Sequence, residues 1–261
     1  MLDQPRSTQR YVRRKAEDED ALRLALIRLA RQYGRYGYRK ITALLRIEGW
    51  HVNHKKVERL WCEEGLQVPR RHKPRKRLYD HQHSIIRMRP LYPNPIWSVD
   101  FVQDRLFRGR RYKMLTIIDE YTRQCITVNA QFQLTSQEVL ETLGECFMQY
   151  GKPKYIRSDN GSEFKAGVLQ EWLRTVNVEP IYIYPGSPWE NGYNERFNGT
   201  LRHEVLDTEV FYSLNEARCV ITQWVHQYNH TRPHQSLDQR PPAPETIGPA
   251  LSQTLVHTQG A

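Results

Sequence analysis

Thiols are scarce in this sequence: four cysteines in 261 residues, Cys62, Cys125, Cys146 and Cys219, with no C-x-x-C pair among them. A disulfide scaffold and a cysteine-built zinc site are therefore set aside. No stretch approaches the roughly 18 consecutive apolar residues of a membrane span. The N-terminal segment lacks the apolar core of a secretory signal and carries Arg6, Arg10, Arg13, Arg14 and Lys15 instead. Internal repeats are absent, and no motif for a protein nucleophile stands out. With 39% hydrophobic and 11% aromatic residues, the chain is neither disordered nor fibrous. The expectation is a soluble cytoplasmic protein with no membrane partner.

Charge, by contrast, is plentiful and uneven. The chain holds 39 Lys and Arg against 29 Asp and Glu, a formal net charge of +10. Residues 1–90 carry 23 basic and 10 acidic side chains, and residues 91–261 carry 16 and 19. A basic front on a mildly acidic body is the footprint of a segment that meets a polyanion. Within that front, ALRLALIRLARQY sets Leu22, Leu26 and Leu29 on one helical stripe. Gly34 and Gly37 break it, and a second helix over about 38–48 carries Ile41, Leu44, Leu45 and Ile47 as its apolar residues. Asn53 is placed to cap a third helix whose Val57, Leu60 and Trp61 face inward. His54, Lys55, Lys56 and Arg59 are then left outward. Three short helices with a tight connection before a basic third helix are how a major-groove reader is built. Residues 1–65 are read as a helix-turn-helix-like domain, with those four residues as its DNA contacts.

Residues 66–92 lose this pattern. Arg70, Arg71, Lys73, Arg75, Lys76 and Arg77 crowd together among prolines, as expected of a linker laid along a phosphate backbone. From 93 to 248 strands and helices alternate. In IWSVDFV, Trp97, Val99 and Phe101 share one face and Asp100 points to the other. Two further strands follow at short spacing, then a helix from Thr135 with Glu138 completing a capping box. KYIRSD and PIYIY are read as strands, and helices are expected near Asn191 and from Ser213, with Glu216 as the box partner of the latter. The order βββαβαβα is an α/β class with a mixed sheet. Residues 249–261 are expected to be a disordered tail.

Three acidic residues occupy positions where a core-forming residue would be the ordinary choice: Asp100 inside the first strand, Asp159 at the end of the fourth, and Glu195 on the helix of ENGYNERFNGTLRHE. Asn191, Asn198 and Arg202 fall on the same helical face as Glu195. If the first and fourth strands are neighbours, that helix brings Glu195 over the two aspartates. Clustered carboxylates raise one another's pKa unless a cation neutralises them. Hard divalent cations with all-oxygen ligands suit such a set, Mg²⁺ above all, and two ions about 3.5–4 Å apart serve in-line displacement at phosphodiesters.

The words around these residues, SDNGSEF and ENGYNERFNGTLRHE, with 35 residues between Asp159 and Glu195, resemble the DDE transposases and retroviral integrases. The chain is most similar to the second-reading-frame product of insertion-sequence-three family transposases. RYGYRKITALLRIEGWHVNHKKVERLWCEEGLQVPRR resembles that family's helix-turn-helix segment, and YNHTRPHQSLDQRPPAPE the end of its integrase core. The resemblance implies a ribonuclease-H-like catalytic core over 93–248, with Asp100, Asp159 and Glu195 as catalytic ligands of Mg²⁺ or Mn²⁺. It implies strand cleavage at element ends, with water as nucleophile, followed by transfer of the 3′-OH to target DNA. Arg202 sits where such enzymes carry a basic residue near the DNA end, while Asn160 and Asn191 are expected behind the ligands. Implied partners are double-stranded DNA at element ends and target, further copies of the chain assembled on DNA, and the first-reading-frame product of the same element. The location implied is the bacterial cytoplasm, at the nucleoid. Active transposases of this type are longer frameshift fusions with an upstream helix-turn-helix and leucine zipper, so this chain is expected to be the catalytic and regulatory half.

Duller readings stand beside these. Asp119 is a rival first ligand but is expected to cap a turn, and Glu190, a rival third ligand, precedes the glycine that opens the helix. Glu163 is expected to be solvated, Trp224 and Tyr228 to pack in the core, and His234 either to make a structural hydrogen bond or to touch DNA. The competing functions are a non-catalytic DNA-binding regulator that kept the fold and a simple nuclease. The Arg/His/Tyr pattern of a tyrosine recombinase is not evident.

Overall fold

A computed structural model describes residues 18–67, 88–159, 161–183 and 191–243. The chain divides into two compact units, one over Met1–Lys73 and the other over Pro74–Ala261. The basic residues 70–77 and the tail from 244 lie outside the described residues, as do Asn160 and Glu190.

The first unit holds three helices, α1 (Glu19–Gln32), α2 (Tyr38–Ile47) and α3 (His54–Glu63). Their apolar stripes meet in a core of Leu22, Leu26, Leu29, Ile41, Leu44, Leu45, Val57, Leu60 and Trp61. Ile47 is not part of it: its side chain is 63% exposed, because the arc of α2 that faces the other helices ends at Leu45. Asn53 caps α3 as its position dictates, its Oδ1 accepting from the Lys55 N–H at 3.0 Å. Ion pairs tie α3 to α1. Arg59 donates to Glu19 at 2.8 Å and to Glu63 at 2.5 Å, Lys56 reaches Asp18 at 3.1 Å, and Arg23 holds Glu63 and Glu64.

The second unit is built on a five-stranded sheet in the order β3-β2-β1-β4-β5. β1 (Ile96–Arg105), β2 (Arg111–Asp119) and β3 (Cys125–Gln131) form an antiparallel meander. After α4 (Ser136–Tyr150), β4 (Tyr155–Ser158) returns parallel to β1. Two short helices follow, α5 (Ser162–Lys165) and α6 (Gly167–Thr175), and then β5 (Glu179–Tyr182), parallel to β4. Then come α7 (Gly192–Leu201), a π-helical turn at Arg202–Leu206, α8 (Leu214–His230) and a short 3-10 turn at Gln235–Leu237. This is the mixed sheet that the order of elements predicts.

Both faces of the sheet are covered. Trp97, Val99, Leu115, Ile117 and Ile156 pack against Val139 and Leu143 of α4 and Leu169 and Leu173 of α6. On the opposite face Val102, Met114, Ile118 and Cys125 meet Phe197 and Leu201 of α7 and Ile221, Trp224 and Tyr228 of α8. The period-two alternation of β1 decides which residues go where, and it turns Asp100 to the α7 side. Helix starts follow their caps. Thr135 and Glu138 close the expected capping box on α4. At α8, Ser213 Oγ accepts from the Glu216 N–H at 3.1 Å, but the Glu216 carboxylate takes the Tyr212 N–H at 2.7 Å rather than that of Ser213. α8 also lies along the outer strand β3. Asn229 accepts from the Cys125 N–H at 2.9 Å and donates to the Cys125 carbonyl at 2.8 Å, and Arg218 donates to the Ala130 carbonyl at 2.7 Å. Among the described residues no helix is long and apolar enough to cross a membrane.

Candidate active site

The floor of the site is the middle of β1. Its parallel register with β4 pairs Ile96 with Tyr155, Trp97 with Ile156 and Ser98 with Arg157. Asp159 follows directly on the last residue of β4, and Asp100 lies two residues beyond the last pair of that register, so the two aspartates leave the pairing on neighbouring strands. Asp100 is fixed by two donors: the Phe101 N–H reaches its Oδ1 at 2.8 Å and Asn198 Nδ2 reaches its Oδ2 at 2.9 Å. Burial pushes the Asp100 carboxyl up to about 6, and the charges of Asp159 and Glu195 push in the same direction against those two hydrogen bonds. Asp159 Oδ1 accepts from the Gly161 N–H at 3.0 Å. A Cβ at position 161 would sit 3.0 Å from that same oxygen, so a larger residue there would push the Asp159 carboxylate aside.

Glu195 reaches the site on the first turn of α7, with its side chain exposed. What fixes the helix is its neighbour. Asn194, fully buried, donates to the carbonyls of Ser98 at 2.9 Å and Thr116 at 3.2 Å, and accepts from the Thr116 hydroxyl at 3.0 Å. The same Thr116 hydroxyl lies 3.1 Å from the Asp100 carbonyl. Asn191, also buried, donates to the Val99 carbonyl at 3.4 Å. Three asparagines one helical turn apart thus bolt α7 to the strands around Asp100. Sequence reasoning placed Asn191 and Asn198 here but passed over Asn194. The available signal was a polar residue on the stripe of Phe197 and Leu201, three and seven positions on.

An open cleft of about 320 Å³ lies between β1 and α7, lined by Asp100, Gln103, Glu195, Asn198 and Arg202 among others. Arg202 donates to the Gln103 carbonyl at 2.9 Å, which holds its guanidinium at the cleft's end. Among the described residues, no three His, Cys, Asp or Glu side chains converge tightly enough to enclose a metal ion. The donors nevertheless fit a hard divalent cation. They are carboxylate oxygens, two of whose charges push the Asp100 carboxyl up, and the Oδ1 atoms of Asn191 and Asn198 are buried without a hydrogen-bond partner.

The rivals resolve physically. Asp119 is buried and accepts from the N–H groups of Asn94, Tyr121 and Thr122 and from the Thr122 hydroxyl, so it caps the turn after β2. Glu163 is not simply solvated; it pairs with Lys113 at 2.9 Å, its position brought opposite that strand by α5. Trp224 and Tyr228 are buried in the core, and His234 is buried with its ring edge-on to Tyr228 at 4.7 Å.

In the first unit His54 and Lys55 are exposed, as expected of DNA contacts. Lys56 and Arg59 are corrected. Both are half-buried and engaged, Lys56 with Asp18 and Arg59 with Glu19 and Glu63, so they hold the helices together rather than project outward.

Comparison with known proteins agrees with this architecture. Residues 17–74 match a family described as an HTH-like domain, and residues 90–188 and 176–242 match two described as an integrase core domain. The 31.7 kDa protein of insertion element IS407 from Burkholderia multivorans is 36% identical over 238 residues, covering 91% of this chain and 85% of that protein. The 39.2 kDa protein of insertion element IS476 from Xanthomonas euvesicatoria is 39% identical over 223 residues, 85% of this chain and 64% of the longer relative. Among solved structures, the simian T-cell lymphotropic virus intasome, in complex with the PP2A regulatory subunit B56 gamma, superposes with a TM-score of 0.54. It is 18% identical and covers 87% of this chain and 76% of that one.

Proposed function

Because the chain belongs to the insertion-sequence-three family of transposases, within the retroviral integrase superfamily, we propose that it cuts DNA strands at the ends of a mobile element and transfers the freed 3′-OH into target DNA. Asp100, Asp159 and Glu195 are the catalytic residues in this reading, and they hold Mg²⁺ or Mn²⁺, two ions per site. The observation that carries it is an open cleft shared by Asp100 and Glu195, with Asp159 near enough that its charge acts on the Asp100 carboxyl. Asp100 stands in mid-strand, Asp159 just past the end of the neighbouring parallel strand, and Glu195 on a helix anchored to the strands around Asp100.

When bound, a pair of divalent ions activates the attacking oxygen and stabilises the leaving one in an in-line displacement. The chain's own residues prepare for that. Asn198 and the Phe101 N–H fix the orientation of the Asp100 carboxylate, and the Gly161 N–H does the same for Asp159. Glu195, exposed, faces the open side from which a phosphodiester enters. Arg202, at the cleft's end, meets a phosphate of the DNA end, while Asn191 supports Asp100 from behind through the Val99 carbonyl. Water and then the DNA 3′-OH serve as nucleophiles, so no covalent protein intermediate forms.

DNA is held by phosphate contacts from His54 and Lys55 and from the basic residues between 70 and 77, which makes affinity salt-dependent. Copies of the chain assemble on element ends, the first-reading-frame product of the same element is a further partner, and the site of action is the cytoplasm at the nucleoid. Calorimetric titration of Mn²⁺ into the full chain with a short duplex, comparing wild type with Glu195→Gln, tests the reading. Wild type binds the metal and the variant does not; Asp100→Asn, Asp159→Asn and Glu195→Gln each abolish strand cleavage while DNA binding persists. If both proteins bind duplex and neither binds metal, the catalytic reading falls and the protein is a regulator that occupies element ends.

A further inference from the structure

The short connection between β1 and β2 concentrates charge that the fold does not use. Arg105, Arg108, Arg110 and Arg111 lie within seven residues, and all four are exposed. Arg105, Arg108 and Arg111 form no ion pair among the described residues, in contrast to Lys56 and Arg59 of the first unit. Arg110 stacks over the Phe132 ring at 3.5 Å from its centroid, which leaves its N–H groups facing outward around the ring plane.

The turn is also held rigid. The Leu106 N–H donates to the Arg110 carbonyl at 2.9 Å and the Gly109 N–H to the Leu106 carbonyl at 2.8 Å, with Gly109 at φ +85°, where a side chain would be strained. The Phe107 N–H donates to the Phe211 carbonyl at 2.8 Å, tying the turn to the segment before α8. Beside the arginines, Phe107 and Tyr212 are 65% and 64% exposed, with ring centroids 4.9 Å apart. The nearby acids do not cancel the charge: Glu204 is taken by Arg232 at 2.9 Å, leaving Asp104, Asp207 and Glu209 against four guanidinium groups.

β1 runs from the cleft to this turn. At about 3.3 Å per residue, Arg105 stands about 17 Å from Asp100, and Arg111, its partner across the hairpin, is level with it. That distance is about five base pairs of duplex, at about 3.4 Å per pair. Arg202, bonded to the Gln103 carbonyl, fills the interval.

We propose that the β1–β2 turn is a duplex-binding element of the catalytic unit. Phosphates about five base pairs from the one in the cleft seat on Arg105, Arg108 and Arg111, and the Phe107–Tyr212 pair packs against the adjoining sugar edges. The inference rests on the reading of the cleft as a DNA-processing site. Four exposed guanidinium groups on one backbone-bonded turn match a polyanion, whereas an apolar helix would leave those charges desolvated and unpaired.

The test uses the full chain and a 40-base-pair duplex of random sequence, with affinity measured across a salt series. Replacing Arg105, Arg108 and Arg111 together by alanine should lower the slope of log K against log salt by about 2 to 3, because each lost phosphate contact removes about 0.9. Replacing the three by lysine should restore the slope. Phe107→Ala with Tyr212→Ala should weaken binding several-fold and leave the slope as in wild type. All these positions are exposed, and an unchanged urea midpoint certifies the fold of each variant. A triple-alanine slope equal to that of wild type overturns the proposal, as does a lysine variant that fails to restore it. Metal-dependent cleavage by wild type and its loss in Glu195→Gln, measured alongside, decide the catalytic reading separately.

Discussion

Replacing Asp100 by asparagine should make the metal-free protein more stable, although it removes a side chain on which the proposed chemistry depends. The carboxyl stands at about 6 in the folded protein against an ordinary 3.8, raised first by burial and then by Asp159 and Glu195. Between those two values the native state keeps a proton that the unfolded chain has released. Stability therefore falls as pH rises through about 4 to 6, and the penalty, at most about 3 kcal/mol, is fully present above that window. Asp100→Asn removes it. The amide it introduces also meets a waiting acceptor, since Asn198 Oδ1 is buried without a partner and a turn of that amide presents it. At pH 7.5 the variant should exceed wild type by about 1–3 kcal/mol, and below pH 4 by less than about 0.5 kcal/mol. Urea unfolding followed by tryptophan fluorescence at several pH values measures the difference directly, because the other titrating groups are common to both proteins. Saturating Mg²⁺ should reverse the order, as a ligand that binds only native wild type stabilises only wild type. A difference that does not change with pH, or a variant less stable at pH 7.5 without metal, would refute the argument that Asp100 is held charged against its surroundings.

Asn194→Leu should cost about 2–4 kcal/mol in urea unfolding, because it strips partners from the Ser98 and Thr116 carbonyls in a site closed to water; a loss under about 0.5 kcal/mol would contradict the anchoring role. Arg59→Ala should destabilise the first unit by about 1–2 kcal/mol by removing the 2.8 Å bond to the buried Glu19 carboxylate, which keeps a longer contact with Arg23, and should leave the salt slope of DNA binding unchanged. Lys55→Ala should do the opposite, lowering the slope by about 0.9 with the unfolding midpoint unmoved.

Much of this was legible in the sequence wherever the deciding interactions are local. The alternation through Trp97, Asp100 and Phe101, the box at Thr135 and the cap at Asn53 each depend on residues a few positions apart. The three carboxylates were legible as misfits on otherwise apolar elements. Where contacts span tens of residues, the reading was incomplete. Arg59 was placed outward because nothing local reveals Glu19, forty residues before it, on the facing helix. Glu163 was read as solvated because Lys113 is fifty residues away. The adjacency of β1 and β4 entered only as a condition, and a crossover through α4 satisfies it. Asn194 shows the limit most clearly. Its place on the buried stripe was visible, but its partners are backbone carbonyls, which any sequence supplies and none advertises.

The outer strand β3 carries a further consequence. A bare strand edge is a template on which any extended chain can grow, including another copy of the same protein during synthesis or at high concentration. Here one asparagine of α8 occupies both backbone groups of Cys125, and Arg218 occupies the Ala130 carbonyl near the strand's other end. An incoming strand would have to displace side chains anchored in a helix whose apolar face is already buried. The C-terminal helix therefore acts as a selvedge, finishing the weave so that it neither frays nor takes on new thread.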